Sequence, residues 1–229
     1  MDLSNWTAPE HLQPTDVGAK PIDARGADWS GSDLRGKDLS NAKLCRTDLR
    51  GANLSKTLLD GADLRFAKYD SFTIWPEDFE FFASGAVGPG AKLSGVFLNG
   101  TDLRGLDLRG AIFMGAYLSG ADLSGSVVDG VRFVGSDLRN AVLRGTSCQG
   151  ARFRSCQLDF ADFRGANLTD ADFTSPESIR GADFSLSIGL INAREELLNQ
   201  PEDHLLCWNP LTRRNTKDSL QSSDSVTSA

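Results

Sequence analysis

A five-residue period dominates this chain between Gly26 and Thr174. Most units contain Ala, then Asp or Asn, then Leu, then Ser or Arg, and then Gly, as in residues 51–55 (GANLS) and 61–65 (GADLR). A short fixed period is typical of a solenoid, in which each repeat contacts only its neighbours. The period therefore restricts the fold before any local secondary structure is considered.

Two positions in each unit are apolar. One is the central residue, here called the centre, and the other is the small residue two places before it, so we expect both to point inward. The residues on either side of the centre are mostly Asp, Asn, Lys, Arg or Ser and are expected to point outward. Gly usually closes the unit, where a corner needs unusual backbone dihedrals. The centres form two blocks, from Trp29 to Tyr69 and from Leu93 to Phe173.

These tandem units resemble the pentapeptide repeat family over roughly two thirds of the chain. The resemblance implies an all-β fold, a right-handed quadrilateral parallel β-helix with four units per coil, so that like residues recur every 20 positions. Trp29, Leu49 and Tyr69 are then expected to share one face. Four further centres predict a phenylalanine ladder on one inner face: Phe113, Phe133, Phe153 and Phe173.

The period fails between Tyr69 and Leu93, in an aromatic insertion at residues 70–90. Its aromatic residues include Trp75 and Phe79, which favours a segment that folds back onto the solenoid. The two flanking centres are 24 residues apart, so the chain is expected to leave one face and rejoin the same face. Two interpretations stay open, a structural insertion and a dedicated binding loop.

The flanking segments lack the period and define the predicted domain limits. We expect an N-terminal cap at 1–22, the interrupted β-helix at 23–185 and a C-terminal helical cap at 186–211. In the last of these, Ile191 and Leu197 suit the buried face of a short helix. The polar stretch 212–229 is predicted to be disordered.

No catalytic constellation is evident, and we predict no enzyme activity, no cofactor and no metal site. The two histidines, His11 and His204, lie outside the repeats. The four cysteines form no C-x-x-C pair and are interpreted as free thiols in a reducing compartment. Cys148 and Cys156 occupy inward positions, where a thiol has little thiolate character.

Charge and hydropathy argue against several partners. The formal net charge is −7, but residues 23–174 hold 18 Lys and Arg against 20 Asp and Glu, so the repeats are nearly neutral. Basic residues do not cluster with aromatics, so nucleic-acid binding is not expected. No apolar run is long enough to span a bilayer and no secretory signal is seen, so we predict a cytoplasmic protein that binds no membrane.

Five apolar residues break the polar outward pattern at one corner of the second block. An exposed apolar patch marks a partner site or a surface that another part of the chain covers, and the insertion could be that cover. The leading interpretation is a non-enzymatic interaction or scaffold protein, which binds another protein or self-associates through the rod ends. The alternative is a DNA-mimicking binder of DNA gyrase or topoisomerase, as in other members of that family. The possible partner surface comprises Phe97, Ile112, Met114, Tyr117 and Val134.

Overall fold

The computed structural model describes residues 21–222. They belong to two compact units, which divide between Lys92 and Leu93. The predicted N-terminal cap at 1–22 lies outside the described residues apart from its last two, and so does the part of the predicted tail at 223–229. His11 lies outside them as well.

Parallel β-bridges join successive coils of the second unit at a spacing of 20 residues, as between Asp102 and Asp122 and between Asp122 and Val142. The residue before each centre and the centre itself both bond to a neighbouring coil. The N–H of Leu103 donates to the Asp122 carbonyl at 2.8 Å, and the N–H of Asp122 donates to the Thr101 carbonyl at 3.0 Å. A turn follows at once, so each side of a coil contributes a single bridge residue. The predicted coil length is confirmed.

The phenylalanine ladder lies inside the second unit, as predicted. Ring centroids are 5.5 Å apart for Phe113 and Phe133, 5.2 Å for Phe133 and Phe153, and 4.8 Å for Phe153 and Phe173. The rings are nearly parallel, and none of the four side chains is more than 1% exposed. Each ring therefore packs face to face with the ring of the coil before or after it.

The small inward position also accepts hydroxyls and thiols, because it lies near a backbone carbonyl of the preceding coil. The hydroxyl of Ser136 donates to the Phe113 carbonyl at 2.5 Å. The thiol of Cys156 donates to the Phe133 carbonyl at 3.0 Å. These contacts offset the cost of removing a polar group from water.

After Phe173 the spacing between bridge partners becomes 21 residues, as between Asp162 and Asp183. This is the slip in register that the sequence indicates at this point. The extra residue does not disturb the core, since the rings of Phe163 and Phe184 still stack with centroids 5.0 Å apart.

The first unit follows the same rule up to the insertion. Asp48 bridges to Lys68, 20 residues later. The N–H of Trp29 donates to the coil that holds Leu49, and the N–H of Leu49 donates to the coil that holds Tyr69. All three side chains are buried, so the predicted shared face is confirmed.

The insertion forms an irregular coil. Ile74 bridges to Asn53 at its start, and Val87 bridges to Lys68 near its end. Between these two anchors, residues 75–86 replace the regular five-residue units. The chain there includes a 3₁₀ helix at Phe81–Ala83.

The insertion returns to the solenoid earlier than predicted. The N–H of Tyr69 donates to the Val87 carbonyl at 3.0 Å, and its phenol donates to the Pro89 carbonyl at 2.7 Å. A Cβ on Gly88 would lie 2.6 Å from the Tyr69 carbonyl, so Gly88 occupies the place over Tyr69. The irregular coil uses only 19 residues between Lys68 and Val87, so Gly88 already lies over Tyr69 five residues before Leu93.

Aromatic rings hold the insertion against its own unit. The ring of Trp75 stacks on Phe81 at 5.3 Å and on Phe79 at 5.5 Å. The edge of the same indole faces Tyr69, with centroids 5.6 Å apart. The insertion therefore folds back as expected, although Phe72 stays 76% exposed.

The C-terminal region holds three short helices and a hairpin. After a 3₁₀ helix at Leu190–Asn192 come α1 (Arg194–Leu198) and α2 (Glu202–Leu205). Strand β1 (Trp208–Asn209) pairs antiparallel with β2 (Arg214–Asn215), and α3 (Thr216–Ser222) follows.

Two predictions for this region are wrong. Ile191 is 81% exposed, because Leu190 takes the buried position. Disorder was predicted from residue 212, but β2 and α3 occupy 214–222, and the Phe184 N–H donates to Ser219 Oγ at 3.1 Å. α3 packs on the last coil through the buried side chain of Leu220 and through the hydroxyls of Thr216 and Ser219, which donate to the backbone carbonyls of Ile179 and Ala182. Because most of these side chains are polar, the composition of the segment does not indicate that it packs.

Candidate interaction surface

Asp–Arg pairs two residues apart line the outward faces. The side chains flanking one centre point to the same side, so they can meet. Arg35 donates from Nε to Asp33 Oδ1 at 2.8 Å and from Nη2 to Oδ2 at 2.6 Å. These hydrogen bonds lower the pKa of the Asp33 carboxyl to about 2. The same pairing recurs at Asp23–Arg25, Asp48–Arg50, Asp63–Arg65, Asp102–Arg104, Asp107–Arg109, Asp137–Arg139 and Asp162–Arg164.

Aspartates align in a column on one outward face of the second unit. Asp102 bridges to Asp122, and Asp122 connects to Asp162 through Val142. Asp102 and Asp162 are held by the arginine two residues later, while Asp122 accepts from the hydroxyl of Ser124 at 2.5 Å. These carboxylates are therefore engaged within their own coils, as expected for a ladder of surface charges.

The four cysteines are free thiols. Burial raises the pKa of Cys156 to about 12, raises that of Cys148, and also raises that of Cys45. Such thiols stay protonated at neutral pH. Within residues 21–222, no group of three or more His, Cys, Asp or Glu could hold a metal ion. No helix in that part of the chain is long and apolar enough to cross a bilayer.

The five predicted surface residues, here called the apolar corner, lie in the second unit. Phe97 is 68% exposed, and Met114 and Tyr117 are each 44% exposed. Ile112 and Val134 are half-buried. The rings of Phe97 and Tyr117 stack at 4.5 Å with an interplanar angle of 4°. Three large apolar side chains are thus open to solvent among charged neighbours.

The repeat pattern itself creates the corner. Met114 follows the centre Phe113, and Tyr117 precedes the centre Leu118. The chain turns at Gly115 between them, with φ +63°. Because both flanking positions point outward, the two side chains emerge from adjacent faces on either side of one turn.

A pair of arginines next to the apolar corner is not held in the way that the other surface charges are. Arg132 and Arg152 are exposed bridge partners on successive coils, at the position where most units have Asp or Asn. Neither guanidinium has an ion pair or hydrogen bond within residues 21–222. The nearby Arg154 lies 3.7 Å from Asp172. The sequence does show that Arg replaces the usual Asp in these two units, which read VRF at 131–133 and ARF at 151–153 where most units read ADL.

The fold and its outward pairs define a parallel β-solenoid built from five-residue units. The family model for pentapeptide repeats matches eight copies, over residues 22–51, 38–68, 90–120, 121–158, 136–174 and 151–188. Since these ranges cover more than half of the chain, it belongs to the pentapeptide repeat family. No curated protein matches the sequence.

Solved structures include similar chains. A pentapeptide repeat protein from the thylakoid lumen of Arabidopsis thaliana is 28% identical, with a TM-score of 0.52, over 57% of this chain and 87% of that one. HetL from the cyanobacterium Nostoc sp. strain PCC 7120, involved in heterocyst differentiation regulation, is 24% identical over 72% and 90% of the chains, with a TM-score of 0.29. QnrB1, a plasmid-mediated fluoroquinolone resistance protein, is 16% identical over 72% and 84%, with a TM-score of 0.27.

Proposed function

We propose that this protein is a non-enzymatic interaction module that binds another protein through the apolar corner. The observation that carries the proposal is the exposure of Phe97, Met114 and Tyr117 in a unit whose outward positions also carry Asp–Arg pairs. Exposed apolar clusters rimmed by polar residues mark interaction sites on soluble proteins. The aromatic pair is already stacked, so binding would order few side chains.

Three further features belong to this proposal. Membership of the family supports right-handed, four-sided winding. Hydrogen bonds from Thr216 to the Ile179 carbonyl and from Asn209 to the Gly181 carbonyl support a C-terminal cover over the last coil. The free thiols fit a reducing compartment, and we expect the protein to act in the cytoplasm.

Met114→Asp is expected to abolish partner binding with little change in stability. The side chain is 44% exposed, so the new carboxylate stays hydrated while it disrupts an apolar contact. Cross-linking pull-down from native extract measures binding, and urea denaturation measures stability. Leu211→Asp, at a residue that is 82% exposed elsewhere in the same unit, is the matched control and should leave binding intact.

Limited proteolysis of Met114→Asp tests the competing interpretation, in which the insertion covers the apolar corner. A loss of a few kcal/mol together with faster cleavage within residues 75–90 would support that cover and contradict a partner site. Unchanged binding, stability and cleavage would leave the corner without a function.

The alternative function, mimicry of DNA toward gyrase, predicts a broad acidic surface. In this chain the aspartates are paired with arginines along the coils. We expect neither inhibition of gyrase supercoiling nor protection of gyrase from quinolones in an assay with the purified protein. Inhibition at low micromolar concentration would support the alternative instead. Arginines that interrupt any acidic stripe are Arg132, Arg139, Arg144, Arg152 and Arg154.

A further inference from the structure

A basic column continues the apolar corner down the same face of the second unit. Ile112 bridges to Arg132, and Arg132 bridges to Arg152. On the other side of the centres, the positions spaced by 20 residues hold Met114, Val134 and Arg154. Apolar side chains on one coil are therefore followed by mixed and then by basic side chains on the next two. This strip of six residues is called the basic–apolar strip.

Two arginines of the strip, Arg132 and Arg152, lack the partner that the repeat usually supplies. Most outward arginines that follow a centre are held by an aspartate two residues before them, as Arg104 is held by Asp102 at 2.8 Å. The residue two places after Arg132 is apolar, and the residue two places after Arg152 is another arginine. The unit that holds Arg132 therefore places no carboxylate beside it, whereas Asp172 on a later coil faces Arg152 as its bridge partner and lies 3.7 Å from Arg154.

Arg132 and Arg152 face each other on successive coils, and Asp172 faces Arg152 from the coil after. Among the described bridge partners, Arg132 and Arg152 are the only two basic residues that face each other. Adjacent coils lie about 4.8 Å apart, and like charges directly opposite one another are destabilising. Aspartates also face each other, as Asp102 and Asp122 do, but those carboxylates have an arginine or a hydroxyl partner. The guanidinium groups of Arg132 and Arg152 have no such partner among the described residues, and a local departure of this kind is expected at functional sites. An anionic group seated across both guanidinium groups would relieve the repulsion.

We infer that the partner presents an acidic segment whose carboxylates alternate with apolar side chains. This inference rests on the proposed function and specifies its partner. Guanidinium groups bind carboxylates in a bidentate manner, so charge complementarity selects acidic residues over Arg132 and Arg152. Apolar side chains of the segment would cover Met114 and Val134. The strip spans three coils, about 10 Å between the outer two, which matches roughly three to four residues of extended chain.

The test uses a fluorescein-labelled peptide in which Glu alternates with Leu and Phe, and a counterpart with Gln for every Glu. Fluorescence anisotropy with the full chain is expected to show about tenfold tighter binding of the Glu peptide, since exposed charge pairs contribute modestly and two are formed. The preference should shrink at high salt, because salt screens exposed charges.

Arg132→Asn/Arg152→Asn is the matched variant. Asn occupies the same position before the centre at Asn53 and Asn167, so this variant should fold with unchanged or higher stability. It should bind the Glu peptide about tenfold more weakly. Arg104→Ser/Arg109→Ser removes the same charge from arginines outside the strip and should change binding by less than about twofold.

Several outcomes overturn the inference, and they are distinguishable from failure of the proposed function. If both peptides bind equally and Met114→Asp abolishes both, the interaction function stands and the acidic partner is wrong. If neither peptide binds and Met114→Asp still captures the same partner from extract, the proposed function fails as well. Arginine-dependent binding of phosphatidylserine vesicles without peptide binding, or arginine-dependent dimers in sedimentation, would replace the acidic partner with a membrane or a second copy.

Discussion

Phe133→Ala is expected to lower the free energy of unfolding by about 3–5 kcal/mol. Its ring lies between Phe113 and Phe153, with centroids 5.5 and 5.2 Å away, and is fully buried. Coils hydrogen-bonded above and below cannot easily collapse into the gap, so a cavity should remain. Urea denaturation followed by far-ultraviolet circular dichroism measures the loss.

Phe97→Ala is the control for this prediction. It removes the same ring from the same unit, but at a side chain that is 68% exposed, and should cost about 1 kcal/mol or less. Equal losses for the two variants would mean that the ladder does not contribute as a buried stack.

Gly189→Ala is expected to destabilise the second unit by about 3 kcal/mol. Gly189 has φ +80°, and an added Cβ would meet the backbone N of Thr169 at 2.4 Å and its Cα at 2.5 Å. The backbone of Thr169 is part of a coil and cannot move aside cheaply. Urea denaturation gives the loss, and earlier trypsin cleavage at Arg194 would show that the C-terminal region loosens.

Gly130→Ala separates the two causes of that loss. Its φ is +66°, but nothing lies within 4 Å of an added Cβ, so only the cost of left-handed backbone applies, about 1–2 kcal/mol. The excess measured for Gly189→Ala is then due to the contact with Thr169. Identical losses would show that the close approach carries no energetic weight.

The regular part of the fold could be predicted because every coil buries the same positions of its units against the neighbouring coils. A spacing of 20 residues between phenylalanine centres implies both the coil length and the ladder, and Phe133 lies where that spacing puts it. The same rule places Met114 and Tyr117 outward. These successes depend on the period, because inward and outward positions alternate within each unit.

Predictions failed where the period stops. The return of the insertion at Gly88 depends on how Trp75 and Phe81 stack, which no spacing in the sequence reports. The order of α3 depends on hydroxyls of Thr216 and Ser219 that bond to the last coil. These hydroxyls have partners 35 and 37 residues away in the sequence, so the polar composition of the segment alone could not be distinguished from that of a disordered tail.

The candidate surface was predicted in part. The apolar corner follows from counting outward positions, but the lack of partners at Arg132 and Arg152 does not. It requires knowing that arginine normally finds an aspartate two residues before it, as in Asp137–Arg139. The pair forms because both side chains point outward from the same side of the coil. The sequence alone shows only that Asp and Arg alternate, and does not show that they are in contact.

The Asp–Arg pairs have a consequence for how such chains can change length. Asp107 is held by Arg109 within one five-residue repeat, and the other Asp–Arg pairs two residues apart are likewise formed inside single coils. Duplicating or losing 20 residues would carry each pair along intact and leave the ladder in register. A five-residue insertion or deletion between Phe133 and Phe153 would instead turn every later coil by one face and remove Phe153 from beneath Phe133. Viable length variants of this chain should therefore differ by whole coils.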